Sequence, residues 1–350
     1  MDPIQLLTQD GELTPHPDFP LDVTPELCQD LLRHMVLARR FDKEAYSLQR
    51  QGELGLWLQS WGQEAAQVGS ISAVRRNDWV FPSYRDHASA LHRGITPGEI
   101  MSQWRGVSAG GWNPHEHHFH VNTLVLATQL LHATGFAMGV RIEGSDEVVL
   151  SYFGDGSSSE GDANEALNWS VAFDCPVVFF CQNNQWAIST PVAAQTTRPL
   201  HERAAGFGLD SYLVDGNDVL AVHAVTQHAA ARSRAQQRPS FIEAMTFRMG
   251  GHSTSDDPKA YRSQEEFEVW ERRDPIARLR TFMEHKGWLD EQWSAALDTE
   301  ADELATATRM ACKALVAPDL ADLFDQVLTS PSPLLQQEKQ YLLAERGLTV

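Results

Sequence analysis

Two short polar motifs, each placed after an apolar run, constrain the fold of this chain more than any other feature. Gly154-Asp155-Gly156 follows the run VVLSYF at 148–153, and Asn183-Asn184 follows PVVFFC at 176–181, with twenty-six residues between the two motifs. Apolar runs of this length are typical of strands buried on both faces of a parallel sheet. The segment therefore predicts a strand, helix, strand unit, whose right-handed crossover returns the second strand parallel to the first.

This unit predicts an anion-binding site between Asp155 and Asn184. Both residues would lie at the carboxyl ends of neighbouring parallel strands, which is where open α/β sheets bind ligands. A helix of about fifteen residues is expected to follow Gly156, and the free N–H groups at its amino end would point at the same place.

Two phosphate-binding motifs fail at this position. A P-loop requires a lysine after its second glycine, but Asp162 follows Gly161 here. A dinucleotide-binding turn requires a third glycine where this chain has Ser159. The first motif is excluded, and the second is disfavoured.

A third interpretation is a magnesium ion that bridges a diphosphate. Mg²⁺ prefers six oxygen ligands and commonly takes few from protein, with phosphate and water supplying the rest. The Asp155 carboxylate, the Asn184 amide oxygen and the Trp186 backbone carbonyl would supply three of them. The structural alternative is a solvated turn with a capping asparagine.

Composition narrows the classes of function. The net charge of −19 excludes broad electrostatic binding to nucleic acid or anionic lipid, so a bound phosphate must be held by local groups. No apolar run of roughly 18 residues could span a bilayer. The four cysteines are scattered without a CxxC pair, which predicts reduced, buried thiols rather than disulfides. The N-terminal segment has neither a signal nor a transit pattern, so a cytoplasmic, bacterial location is expected.

The chain is predicted to have three regions. Residues 1–24 should form an extended arm, because proline interrupts them repeatedly. Residues 25–273 should form an α/β domain, in which Thr24 caps an initial helix and further strands lie at 212–216 and 240–247. Residues 274–350 have the pattern of a helical region. The predicted fold class is α/β, a parallel sheet with helices on both faces.

Residues from about 50 to 290 resemble the alpha subunit of the thiamine-diphosphate-dependent 2-oxoacid dehydrogenases, in their decarboxylase component. The resemblance rests on GDGx26NN and on the following motifs: WGQEAAQVG at 61–69, DWVFPSYRDH at 78–87, LATQ at 126–129, NNQWAISTP at 183–191, VDGNDVLAV at 214–222 and HSTSDDPKAYRS at 252–263. Within that family, AISTP and HSTSDD resemble the branched-chain (2-oxoisovalerate) type more than the pyruvate type. The implied fold is the diphosphate-binding half of a thiamine diphosphate-binding domain.

The resemblance implies thiamine diphosphate and Mg²⁺ as cofactors. Asp155, Asn184 and the Trp186 carbonyl would hold the metal. The implied cofactor-binding residues also include Tyr84 and Arg85 at the diphosphate, with Leu126, Gly154, Gly156, Ser157, Ser158, Ile188 and His252 around the rest of the cofactor. His252 is the implied catalytic residue, because an imidazole facing the thiazolium can donate a proton to the dithiolane sulfur when the acyl group passes to lipoamide.

The resemblance also implies partner chains. The glutamate that activates the aminopyrimidine ring lies on a beta subunit in this family, so an assembly of two alpha and two beta chains is expected, together with a lipoyl-bearing dihydrolipoyl acyltransferase. The expected reaction is oxidative decarboxylation of a small 2-oxo acid with reductive acylation of lipoamide. Two alternatives remain: a pyruvate or acetoin dehydrogenase subunit, and a catalytically idle scaffold subunit. No nucleic acid or membrane partner is expected.

The chain departs from the family pattern near the expected substrate pocket. The loop at 110–120 is shorter than usual, Ser83 precedes Tyr84 where glutamine is common, and Leu124 replaces a small polar residue. The loop carries five acidic or imidazole side chains between His115 and His120, but the HExxH zinc motif fails because Phe119 lies four residues after His115. Adventitious or no metal binding is expected there.

Overall fold

A parallel β-sheet forms the centre of the structure, a computed structural model that describes residues 2–325 and 328–347. The strands are β1 (Trp79–Phe81), β2 (Val149–Gly154), β3 (Val177–Asn183), β4 (Trp186–Ala187), β5 (Thr190–Pro191), β6 (Asp210–Asp215) and β7 (Ser240–Met245). Five of them form the main sheet in the order β1-β2-β3-β7-β6, and every neighbouring pair in it is parallel. Strands β4 and β5 form a separate antiparallel pair.

Helices connect and cover the strands. They are α1 (Pro25–Arg50), α2 (Glu64–Ser72), α3 (His87–His92), α4 (Pro97–Arg105), α5 (Pro114–His117), α6 (Thr128–Glu143), α7 (Gly161–Ala172), α8 (Val192–Gln195), α9 (Leu200–Phe207), α10 (Val219–Gln236), α11 (Gln264–Glu271), α12 (Pro275–His285), α13 (Glu291–Ala314), α14 (Asp322–Asp325) and α15 (Pro333–Glu345). Short 3-10 helices span Asp155–Ser159 and Pro258–Ala260. Among the residues described, no helix combines the length and apolar character that crossing a membrane requires.

The sheet separates two apolar layers, as the alternation of strand side chains requires. On β2, Leu150 and Tyr152 pack into one layer with residues of α1, α2 and α10, whereas Val149 and Phe153 pack into the other with residues of α6, α7 and α9. Both sets of side chains are buried. The prediction of an α/β fold with helices on both faces of a parallel sheet is therefore confirmed.

Most predicted elements are present, but strands β1, β4 and β5 were not predicted and one predicted helix starts later than expected. Helix α1 begins at Pro25 as predicted, and the Thr24 hydroxyl accepts a hydrogen bond from Leu27 N at 3.2 Å. Strand β1 was not predicted, because its three residues are too few to establish a period. The helix expected directly after Gly156 is interrupted: a 3-10 turn comes first, and α7 starts only at Gly161. Consecutive serines at 157–159 disfavour an α-helix, because their hydroxyls compete for backbone hydrogen bonds.

All four cysteines are buried and free, as predicted. Burial raises the pKa of the Cys28 thiol to about 12 and that of Cys175 to about 11. These thiols therefore stay protonated and unreactive near neutral pH.

The N-terminal segment is tied to the sheet edge by Asp218. Ile4 N donates to the Leu213 carbonyl at 2.8 Å, so the segment runs beside β6. Oδ2 of Asp218 then accepts hydrogen bonds from the backbone N–H groups of Leu6 and Leu7 at 2.7 and 2.6 Å. Oδ1 of the same carboxylate caps α10.

We retain residues 1–24, 25–273 and 274–350 as the proposed regions of the chain.

We expect Asp218→Ala to destabilise the fold by about 2–4 kcal/mol. Loss of a helix cap costs about 0.5–2 kcal/mol, and leaving buried N–H donors unsatisfied costs about 1–3 kcal/mol. Urea unfolding measures the difference directly. Asp22→Ala, which removes an exposed carboxylate from the same segment, should change stability by less than about 0.5 kcal/mol. Equal stability of the two variants would contradict the anchoring role of Asp218.

Candidate active site

A cavity of about 370 Å³ opens at the carboxyl edge of β2 and β3. Asp155 reaches it from the end of β2 and Asn184 from the end of β3, so the two predicted strand-end residues meet there. Of the other predicted site residues, those that also line the cavity are Tyr84, Arg85, Leu126, Gly154, Gly156, Ser157, Trp186, Ile188 and His252. Ser158 does not line it, and its carbonyl accepts a hydrogen bond from Arg203 Nη2 at 3.0 Å.

Asp155 is one of two buried carboxylates that line this cavity, the other being Asp86. The side chain of Asp155 is buried, and burial raises the pKa of the carboxyl group, while a hydrogen bond from Gln195 Nε2 at 2.9 Å acts in the opposite direction. Asn184 is also buried. Its Nδ2 donates to Gln63 Oε1 at 3.3 Å, and its Oδ1 accepts from Trp186 N at 3.3 Å. The two side chains are therefore held in place by neighbours that the sequence pattern does not reveal.

Gly156 allows the turn after β2 to approach the strand pair β4–β5 closely. A Cβ atom at this position would lie 2.8 Å from the Cβ of Ala187, a distance that real side chains essentially never show. The glycine therefore reflects a close backbone approach. It brings the 3-10 turn and the Trp186 carbonyl to the same side of the cavity.

The Trp186 carbonyl accepts a hydrogen bond from Arg248 Nη1 at 3.0 Å. A carbonyl oxygen has two lone pairs, so this bond leaves one for a metal ion. The donor set formed by Asp155, Asn184 and this carbonyl consists of oxygen atoms only, which is the chemistry that Mg²⁺ prefers. The residues present thus fit the metal that the sequence predicted.

Arg85 and Arg248 place buried positive charge beside the cavity. Arg85 is 6% exposed and Arg248 1% exposed. Arg85 donates to the carbonyls of Gln59 and His252 at 2.6 and 2.9 Å. Among residues 2–325 and 328–347, neither arginine forms a salt bridge with a carboxylate, whereas the buried Arg278 pairs with Asp215 at 2.9 Å. A buried guanidinium without a counter-charge is costly, so this pair favours an anionic ligand.

Four buried polar atoms of residues that line the cavity have no hydrogen-bond partner in the part of the chain that the structure describes. They are Gln63 Nε2, Ser157 Oγ, Trp186 Nε1 and Arg248 Nε. Buried polar atoms are nearly always satisfied in native proteins, and exceptions point to a missing ligand or water. A hydroxyl and an amide N–H are both suitable donors to phosphate oxygens.

A buried amide network fixes the loop that carries Tyr84 and Arg85. Gln67 Nε2 on α2 donates to the Arg85 carbonyl and to Gln182 Oε1, each at 3.1 Å. Gln182 Nε2 donates in turn to Asp86 Oδ1 at 2.5 Å. Asp86 Oδ2 accepts from Ser83 N at 2.6 Å, which closes the loop on itself. The network links α2, β3 and the loop after β1, and sequence reasoning missed all three of its side chains.

The backbone of the Asn184-to-Thr190 loop is strained at the cavity. Ile188 has φ +55° and Gln185 has φ +74°, both in the left-handed region. A β-branched residue rarely adopts that conformation. Arg248 Nη2 holds the Ile188 carbonyl at 2.7 Å, and strain that is retained in this way clusters at ligand-binding sites.

His252 lies between the two arginines. Burial, together with the charges of Arg85 and Arg248, lowers the pKa of His252 to about 4. Its Nδ1 lies 3.4 Å from Arg85 Nη2. A guanidinium can only donate, so Nδ1 is the acceptor and the proton of the neutral ring is assigned to Nε2. His252 is thus a neutral imidazole with one N–H at neutral pH.

The HSTSDD segment is folded around Asp256. Asp256 Oδ2 accepts hydrogen bonds from His252 N at 2.6 Å and from the Tyr261 hydroxyl at 2.5 Å. Tyr261 OH also accepts from Arg248 Nη2 at 2.8 Å. Arg248 therefore connects the loop of Ile188 with the loop of His252, which makes it a functional candidate that the sequence motifs did not single out.

The histidines between His115 and His120 do not converge. His115 and His118 pack edge-on against Trp79, and His120 stacks on Phe81. The expectation of adventitious or no metal binding in this loop stays a prediction. The predicted departures Ser83 and Leu124 both line the cavity.

The structure is thus an α/β protein with an open cleft at the carboxyl edge of a parallel sheet, which is where proteins of this architecture bind ligands. Residues 32–315 match the family described as "Dehydrogenase E1 component", and the chain belongs to that family.

Three relatives illustrate the similarity. The chain is 42% identical over 354 aligned positions to the 3-methyl-2-oxobutanoate dehydrogenase subunit alpha of Mycobacterium tuberculosis, covering 100% of this chain and 95% of that protein. It is 39% identical over 277 positions to the human mitochondrial 2-oxoisovalerate dehydrogenase subunit alpha, covering 76% and 62%. It is 34% identical over 310 positions to the pyruvate dehydrogenase E1 component subunit alpha of Bacillus subtilis, covering 88% and 83%.

Proposed function

We propose that the chain is the alpha subunit of a branched-chain 2-oxoacid dehydrogenase, which catalyses thiamine-diphosphate-dependent oxidative decarboxylation of a 2-oxo acid and reductive acylation of lipoamide. The observation that carries this proposal is the cavity in which Asp155, Asn184 and two uncompensated arginines meet. The relatives named for branched-chain substrates share higher identity with the chain than the relative named for pyruvate.

The cavity fits a metal-bound diphosphate. Asp155, Asn184 and the Trp186 carbonyl would hold Mg²⁺, while Arg85 and Ser157 Oγ would donate to phosphate oxygens. Arginine is well suited to this role, because its planar fork forms charge-assisted hydrogen bonds with phosphate. When bound, thiamine diphosphate supplies the nucleophilic carbon and the electron sink for decarboxylation.

The role of this chain in the chemistry is to orient the cofactor and to handle a proton. His252 carries its proton at Nε2 and lies at the cavity between Arg85 and Arg248. A diphosphate anion beside the two arginines would offset their charge and raise the pKa of His252 towards neutrality. The imidazole would then serve as the proton donor to the sulfur of lipoamide during acyl transfer.

An apolar rim favours a substrate with an apolar side chain. Leu56, Leu124, Leu126 and Ile188 line the outer part of the cavity around Tyr84. A hydrophobic pocket discriminates by about 1–3 kcal/mol for each methylene that it buries. This lining supports a branched-chain 2-oxo acid over pyruvate or acetoin as the preferred substrate class.

The exposed apolar residues of this rim, together with the adjacent Val125, support a partner chain. Leu124 is 55% exposed, Val125 70% and Ile188 55%. Contiguous exposed apolar residues at the mouth of a cavity mark an interaction surface. We propose that a beta subunit covers them and supplies the glutamate for cofactor activation, in an assembly of two alpha and two beta chains. A lipoyl-bearing dihydrolipoyl acyltransferase would receive the acyl group, and the assembly would be located in the bacterial cytoplasm.

Reconstitution tests the proposed function. The chain should be co-expressed with a beta subunit of this family, and decarboxylation should be measured with an artificial electron acceptor over a panel of 2-oxo acids. We expect no turnover by either chain alone, and thiamine-diphosphate-dependent turnover by the pair, fastest with 3-methyl-2-oxobutanoate. Preference for pyruvate would reassign the substrate. An intact complex that binds the cofactor but decarboxylates no 2-oxo acid would favour a scaffold role.

A further inference from the structure

Three metal-ligating side chains converge where α1 meets α3, away from the cavity. They are Asp30, His34 and His92, and one potential ligand atom of each lies within 4.8 Å of those of the other two. No other group of three or more such side chains meets this criterion in residues 2–325 and 328–347. The cluster plays no part in the function proposed above.

The two helices explain why these residues meet. Asp30 and His34 lie one turn apart on α1 and therefore share a face. His92 is the last residue of α3, which packs against α1. The rings of His34 and His92 have centroids 4.5 Å apart and an interplanar angle of 50°. The cluster thus joins two elements that are distant in sequence.

Hydrogen bonds among the three side chains do not explain why they lie together. His34 Nε2 lies 3.5 Å from Asp30 Oδ1, longer than the roughly 2.7–2.9 Å of a charge-assisted hydrogen bond. His92 Nδ1 is buried and has no hydrogen-bond partner among the described residues. A buried, unsatisfied ring nitrogen calls for an explanation, and a bound ion is one of the recognised explanations.

The neighbouring arginines do not occupy the cluster. Arg76 donates to the carbonyls of His92 and Arg93. Arg93 donates to the carbonyls of Arg75, Arg76 and Asp78. Their positive charges weaken the attraction of any cation without blocking the ligand atoms. Access from solvent is open, since the side chain of Asp30 is 55% exposed and that of His34 is 23% exposed.

We propose that Asp30, His34 and His92 form a binding site for a divalent transition metal such as Zn²⁺. Two imidazoles and a carboxylate, with water in the remaining positions, are a set that suits Zn²⁺ and similar metals. Mg²⁺ does not suit this site, because it prefers oxygen ligands and two of the three ligands here are imidazole nitrogens. The ligand atoms of a tetrahedral Zn²⁺ site lie ~3.3 Å apart. Small side-chain rotations would bring the three ligand atoms, now within 4.8 Å of one another, to that separation. Bound metal would cross-link α1 to α3.

Zinc titration of the full chain, as the assembly with its partner where one is obtained, tests the site. Chelator-treated protein in a buffer containing Mg²⁺ is titrated with Zn²⁺ alone by calorimetry, and its melting temperature is recorded with and without Zn²⁺. We expect one bound equivalent that raises the melting temperature. Loss of even an outer-shell partner typically weakens metal binding about 10- to 100-fold, so His34→Gln should weaken this binding by at least about 100-fold.

Matched variants separate this site from others. Asp30→Asn changes an exposed side chain and should also lose the zinc-dependent rise in melting temperature without altering the fold, which circular dichroism verifies. The combined variant His115→Gln, His117→Gln and His118→Gln should keep both the bound equivalent and the rise. The proposal is overturned if Zn²⁺ does not bind, if wild type, His34→Gln and Asp30→Asn bind it equally, or if the combined variant abolishes binding.

Discussion

Asp155→Ala is expected to abolish magnesium-dependent binding of thiamine diphosphate while leaving the fold intact. Asp155 is the only carboxylate among the three proposed metal ligands. Since loss of an outer-shell partner already costs about 10- to 100-fold in metal affinity, removal of this ligand should cost at least about 100-fold. The fold should survive, because the side-chain hydrogen-bond partner of this buried carboxylate is the neutral Gln195, so the substitution leaves no buried charge without its counter-charge.

Calorimetry of thiamine diphosphate binding with and without Mg²⁺ measures this effect. Asp162→Ala is the control, since it removes an exposed carboxylate from the first turn of α7 and should bind the cofactor as the wild type does. Thermal melting of both variants separates loss of the site from loss of the fold. Normal cofactor affinity in a folded Asp155→Ala protein would refute the assigned metal site.

His252→Ala is expected to lose the overall reaction and to retain most of the decarboxylation. General acid catalysis typically contributes about 10²- to 10⁴-fold in rate, so a drop of that order should appear when lipoamide receives the acyl group. An assay with an artificial electron acceptor bypasses the dithiolane and should change much less. Cofactor binding should persist, because Asp155, Asn184 and Arg85 are untouched.

The two assays must be run on the same reconstituted enzyme. His132→Ala, in which an exposed histidine of α6 is removed, controls for nonspecific loss and should behave as wild type in both. Equal losses in the two assays would move the role of His252 to decarboxylation itself. An unchanged overall rate would mean that this imidazole only supports the structure.

The strand-end residues Asp155 and Asn184 are predictable because each follows a continuous apolar run. An apolar run identifies each buried strand, and the polar residue that follows it must lie at the carboxyl edge of the sheet. The sequence pattern alone is therefore sufficient to locate both residues. The same logic predicts the fold class, since alternating buried strands and helices leave few other arrangements.

Other parts of the site have no local signal. Gln67, Asp86 and Gln182 lie on three separate elements and meet only after the sheet has formed. Arg248 resembles an ordinary charged residue in sequence, and only its burial between two loops reveals its importance. Strand β1 and the 3-10 turn at Asp155 were missed because short elements are decided by tertiary contacts rather than by period.

The attachment of the N-terminal segment has a consequence for biosynthesis. Leu7 donates its backbone N–H to Asp218, and its carbonyl accepts a hydrogen bond from Arg278. Leu7 therefore leaves the ribosome long before Arg278, which lies 271 residues later in the sequence. At a translation rate of about 5–20 residues per second, this delay lasts on the order of 10–50 s. Leu6 and Leu7, both buried in the finished fold, remain exposed to solvent and to chaperones throughout that interval. This segment can therefore reach its final position only after Asp218 and Arg278 have been synthesised.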